Sequence, residues 1–162
     1  MNKYPVGIHD FRKLREEDFL YIDKTAQIYG IPAQGGYYFL SRPRRFGKSL
    51  LCSTISELYG GDASLFRGLW IEQRWDFAAR QRPVIWFRFA TLDYSTLGLE
   101  YVLHQKVKAI AHKLGVILTG KSLKQDFGSL LAGANQGDKV VLLIDEYDKP
   151  IIDYIDEPER GR

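Results

Sequence analysis

Three groups of residues have the types and spacing for chemistry on anions. The octapeptide RPRRFGKS at residues 42–49 crowds Arg42, Arg44, Arg45 and Lys48 ahead of Ser49. Backbone N–H groups from Arg44, Arg45, Phe46 and Gly47 can surround phosphate oxygens, with Leu50 next to them in the chain. The Lys48 ammonium can neutralise terminal phosphates, and the Ser49 hydroxyl can reach a Mg²⁺ ion. A second segment, GVILTGKS at residues 115–122, matches the G-x-x-x-x-G-K-[ST] spacing letter for letter. The third group is the apolar run VVLLI at residues 140–144, which ends in Asp145 and Glu146. An acid pair at a strand end suits metal support by Asp145 and orientation or deprotonation of an attacking water by Glu146.

Such residues act only if particular elements deliver them. A phosphate loop needs a buried strand on one side and a helix N-terminus on the other. Residues 37–41, YYFLS after a glycine pair, read as a strand buried on both faces. Residues 49–59 carry apolar side chains at helical spacing, and Gly60 and Gly61 end that helix. Residues 83–90 give a second strand opened by Pro83, and residues 97–114 an amphipathic helix. Residues 123–134 give another helix, 135–138 a turn, and 139–144 a strand. Residues 1–36 promise short helical pieces and turns. Alternating strands and helices imply an α/β domain with a mostly parallel sheet.

Context separates the two loops. Residues 115–122 follow a helix rather than a strand, and Val116, Ile117 and Leu118 suit packing better than a solvated triphosphate. Residues 42–49 lie between strand and helix, with Arg42 where the first glycine of the pattern belongs. Taken alone, the basic cluster is also compatible with a solvated surface loop or a nucleic-acid patch built on Arg42, Arg44 and Arg45. An Asp-Glu pair alone is compatible with a plain exit turn. Each motif strengthens the other.

With 162 residues, 45% of them hydrophobic, 27% charged and a net charge of +3, the chain has the composition of one ordinary globular domain. Cys52 is the sole cysteine, which excludes an internal disulfide and points to a reducing, cytoplasmic setting. No stretch resembles a signal peptide or a membrane span. His9, His104 and His112 lack ligand spacing and read as surface or helix-face residues. Trp70, Trp75 and Trp86 read as core aromatics, and Asp148 with Lys149 as a local turn or ion pair.

SRPRRFGKSL at residues 41–50 together with LIDEYDKP at 143–150 resembles the predicted AAA-ATPase-like family of bacterial P-loop proteins. The segments PVGIHDF at 5–11 and YIDKT at 21–25 resemble that family's N-terminal signatures. The resemblance implies a P-loop three-layer sandwich over residues 1–162, with an N-terminal segment 1–36 and a core from 37 to just past Asp145. It makes arginine at position 42 usual, ATP rather than GTP the nucleotide, and Mg²⁺ its metal. Longer members often carry a C-terminal domain similar to PD-(D/E)XK nucleases, through which alone nucleic-acid contact is expected.

The family's sheet order also places a later strand between the phosphate-loop strand and the one ending at Asp145. Residues 146–162 are too few to supply it, so the chain is expected to be the N-terminal portion of an ATPase module. Its unpaired strand edge then invites self-association. The alternatives are a nucleotide-binding regulatory module without turnover and a basic nucleic-acid-binding module.

Overall fold

The computed structural model describes residues 3–31, 36–43, 45–135 and 139–155. Arg44 of the candidate loop, and Gln136, Gly137 and Asp138 of the expected turn, lie outside the described residues. The chain divides into two compact units, Met1–Arg82 and Pro83–Arg162.

The first unit is helical among its described residues: α1 (Phe11–Glu16), α2 (Thr25–Gly30), α3 (Lys48–Gly60) and a 3₁₀ turn at Ala63–Phe66. Asp10 caps α1 by accepting from the Lys13 amide at 2.9 Å. The left-handed Gly61 (φ 85°) ends α3 where a glycine pair is expected to stop it. The core joins Phe11, Ile28, Leu58, Leu65, Phe66, Ile71 and Trp75, and each large side chain so buried contributes about 1.5–3 kcal/mol. Phe11 meets Phe66 and Tyr21 at ring centroid separations of 4.9 and 5.0 Å.

Residues 37–41 correct the sequence reading: they form no strand and are exposed, Tyr37 and Phe39 strongly so. An aromatic run makes extended backbone favourable, yet a strand exists only where a neighbour supplies ladder hydrogen bonds. Trp70 is another correction. It is 40% exposed, stacked by Arg74 at 4.5 Å, whereas Trp75 is in the core as expected.

The second unit holds β1 (Val84–Arg88), α4 (Tyr94–Leu97), α5 (Leu99–Leu114), α6 (Leu123–Ala134), β2 (Val141–Asp145) and α7 (Lys149–Ile155). The two strands pair in parallel, Val84 opposite Val141 through Arg88 opposite Asp145. This mixed α/β unit thus carries a two-stranded parallel sheet. Ile85 and Phe87 are buried with Val107 and Ala111 of α5 and Leu130 and Ala134 of α6. The spacing of four in each helix puts one apolar stripe toward the sheet. The helix expected over 97–114 is interrupted at Gly98, whose φ of 82° no β-carbon residue adopts cheaply, so α5 proper starts at Leu99.

The unbroken apolar run at residues 140–144 would suit a strand buried on both faces. Instead Leu142 and Ile144, the partners of buried Ile85 and Phe87, are 40% and 51% exposed. A continuous apolar run does not decide burial; coverage of each face does. Among the described residues no helix is long and apolar enough to cross a membrane.

Candidate functional site

The basic loop ends in two left-handed residues on either side of Phe46: Arg45 at φ 66° and Gly47 at φ 76°. They turn the chain into α3, which starts at Lys48. Arg45 and Phe46 are exposed, while Lys48, Ser49 and Leu50 are half-buried. The Lys48 ammonium folds back over the loop and donates to the Arg42 carbonyl at 2.7 Å. No described side chain caps the α3 N-terminus; its first ladder bond is Leu51 N–H to Gly47 O at 2.9 Å. The partial positive charge of a helix of 13 residues therefore faces outward beside a basic loop.

The rest of α3 is fixed by the N-terminal segment. The Phe11 amide donates to Ser53 Oγ at 2.8 Å in the core. Arg12 grips Glu57 through two nitrogens at 3.3 and 2.7 Å and reaches Asp62 at 3.0 Å and Glu16 at 3.1 Å. Its hydrogen bonds to Glu57 foremost hold its guanidinium pKa above the ordinary value. Asp23 accepts from the Thr25 amide and hydroxyl and from the Trp70 amide, at 2.8, 2.7 and 2.7 Å. Burial pushes the Asp23 carboxyl up, but these hydrogen bonds outweigh it and leave the pKa below the usual range.

Residues 115–122 are built differently. Gly115 (φ 68°) terminates α5, and Val116 and Leu118 pack against the core as expected, whereas Ile117 is 84% exposed. Ser122 caps α6, accepting from the Gln125 amide at 3.3 Å. In return Gln125 accepts from the Lys121 amide, and Asp126 from the Gly120 amide, both at 2.9 Å. This is a relative of the capping box in which Gln125 takes the amide before the cap and Asp126 the one before that, so side chains already occupy two of the amides a phosphate would need. A β-carbon on Gly120 would lie 2.7 Å from Asp126 Oδ1. The glycine of this letter-perfect motif is there to let α6 fold back on its own start.

Asp126 also meets His104 on the face of α5: Nε2 stands 2.7 Å from Asp126 Oδ2. That bond leads the causes that hold the Asp126 carboxyl below its ordinary pKa.

The acidic pair ends β2. Asp145 is 7% exposed, and none of the side-chain hydrogen bonds or ion pairs among the described residues involves its carboxylate. Such a group suits a divalent cation, which replaces the solvation that burial removes. Among the described residues no three His, Cys, Asp or Glu side chains gather. A Mg²⁺ held by one carboxylate, a hydroxyl, phosphate oxygens and waters needs no such cluster. Glu146 is exposed in a left-handed turn (φ 56°), and its carbonyl accepts from the Lys149 amide at 3.0 Å.

Lys149 pairs with Asp153 at 2.8 Å rather than with adjacent Asp148. Asp153 also accepts from the Tyr94 hydroxyl at 2.6 Å, pinning α7 to α4. Burial, then that bond, raises the Tyr94 pKa, while Lys149 leads in lowering that of Asp153. The sequence reading missed Arg88, which stands opposite Asp145 with its guanidinium 3.5 Å from the centre of the Trp86 ring. The signal was present, since residues two apart in a strand share a face.

The family model described as "Predicted AAA-ATPase" matches residues 5–162. A protein of Azotobacter chroococcum mcd 1, named "Uncharacterized protein in vnfD 5'region", is 42% identical over 164 residues, covering 99% of this chain. The chain spans 32% of that relative's length. No solved structure matches it.

Proposed function

Because the chain belongs to the predicted AAA-ATPase family, we propose that it is an ATP-binding P-loop module, and that the complete protein hydrolyses ATP with Mg²⁺. The observation that carries this reading is the contrast between two helix starts. No described side chain caps the N-terminus of α3, which lies beside Arg45 and Lys48, whereas the amides before α6 are held by Gln125 and Asp126. An anion is attracted to the first, and at the second would have to displace the side chains that hold the Gly120 and Lys121 amides.

In this proposal the amides of residues 44–47, together with Ser49 and Leu50, hold the phosphates, and Lys48 leaves the Arg42 carbonyl for the β and γ oxygens. Ser49 and Asp145 hold Mg²⁺, which supplies positive charge for the oxygens that become more negative as the terminal phosphate leaves. Glu146 orients the attacking water and accepts its proton. The architecture is a P-loop three-layer sandwich in which β1 and β2 are neighbouring parallel strands. The choice of ATP rests on the family.

A titration of a fluorescent ATP analogue with Mg²⁺ into the parent chain, Lys48→Ala and Lys121→Ala tests the reading. Lys48→Ala is expected to weaken binding roughly tenfold or more, by loss of a charge-assisted phosphate contact, and Lys121→Ala to leave it unchanged. Equal affinity in Lys48→Ala and the parent would sink the assignment. In longer chains of the family, Glu146→Gln should keep binding and lose phosphate release; release without that dependence removes Glu146 from its role.

A further inference from the structure

We infer that Trp86 and Arg88 form a latch on the acidic end of β2: stacked on the indole, Arg88 leaves the Asp145 carboxylate open to a divalent cation, and unstacked it closes that carboxylate as an ion pair. The inference rests on the assignment of Asp145 to the metal.

Arg88 and Asp145 are cross-strand partners at the C-terminal ends of β1 and β2. In a parallel pair in register, partners project from the same face, with strands about 4.8 Å apart. Trp86, two residues earlier, shares that face, and Leu143 is its partner. The guanidinium therefore has two destinations within its own reach. One is the indole, where it now lies at 3.5 Å. The other is the buried carboxylate across the ladder, 7% exposed and engaged by no described side chain. Arginine binds both kinds of surface well, a ring face by cation–π attraction and a carboxylate through its fork of N–H donors. Arg88 and a divalent cation compete for Asp145, because positive charge from either one beside the carboxylate lowers its attraction for the other. Trp86 thus keeps the acid available by holding its nearest competitor elsewhere.

The Trp86 side chain meets Arg88 through its ring face and not through its indole N–H. That N–H is buried and has no hydrogen-bond partner among the described residues.

The test uses Mn²⁺ alone as probe, following the free-ion electron paramagnetic resonance signal as the protein is titrated, with no nucleotide present. Asp145→Asn should abolish uptake. Trp86→Leu should weaken it roughly tenfold, the size expected when a charged competitor gains access to a carboxylate. Trp86→Phe, which keeps a ring face, should stay near the parent. The double variant Trp86→Leu/Arg88→Met should return to parental affinity, which a merely structural loss at Trp86 would not do. Undiminished affinity in Trp86→Leu, a loss not rescued by Arg88→Met, or no Asp145-dependent uptake by the parent overturns the latch. Nucleotide binding through Lys48 is scored separately, so either proposal can fail while the other stands.

Discussion

Asp23 engages both carboxylate oxygens, one on Thr25 and one on the Trp70 amide, and so ties the start of α2 to the segment after the 3₁₀ turn. Its pKa is lowered on folding, so it adds stability that is fully present above the unfolded value of about 4 and fades as pH falls through the lower folded value. Asp23 is exposed, so screening keeps the ionic part within about 1 kcal/mol. Asp23→Asn should unfold at lower urea than the parent at pH 7, with the gap narrowing below about pH 4; a gap that widens in acid would contradict the assignment. Single residues were unevenly legible. Lys149 and Asp153 sit at helical i,i+4 spacing and could have been paired from the sequence. The bonds of Asp23 to Trp70 and of Tyr94 to Asp153 span 47 and 59 residues and leave no local trace.

At the scale of elements, α6 and its cap make the clearest case of a motif whose letters and physics disagree. The spacing in residues 115–122 fits a phosphate loop, but Ser122, Gln125 and Asp126 also fit an N-terminal capping box, and the second pattern is the one that folds. Ser122→Ala should cost about 1 kcal/mol of stability, read as a lower urea midpoint with unchanged slope. An unchanged midpoint would mean that the serine hydroxyl adds nothing to the helix start. Helices α3, α5 and α6 were readable from the apolar periodicity of the buried face, with glycine marking the ends of α3 and α5 and Ser122 the start of α6. Residues 37–41 were not, because β-propensity reports fit to a pleated surface and says nothing about whether a neighbouring strand is there to pair.

For the whole molecule, the two cores are separate clusters, one around Phe11 and Phe66 and one around Ile85 and Leu130. The one sheet among the described residues has two strands, so each has one ladder edge unpaired. With Leu142 and Ile144 exposed on β2, we expect the chain to self-associate through this edge, as apolar unprotected edges do. Sedimentation velocity should show an average mass that rises with concentration and rises less in Leu142→Lys. A monomer at all concentrations would exclude edge pairing. The α/β class was legible because strand and helix patterns alternate, whereas the coverage of each sheet face was not, since it depends on contacts far apart in sequence.

Arg45 and Glu146 hold left-handed backbone angles, φ 66° and 56°, that glycine would adopt without strain. A campaign to make this protein withstand heat would choose those two positions early, since a glycine there relaxes the chain. Each replacement would delete a charge, one from the basic loop and one from the acidic turn. On the proposed function, heat resistance and phosphate chemistry therefore pull in opposite directions at both positions, and variants selected for the first should be screened for loss of the second.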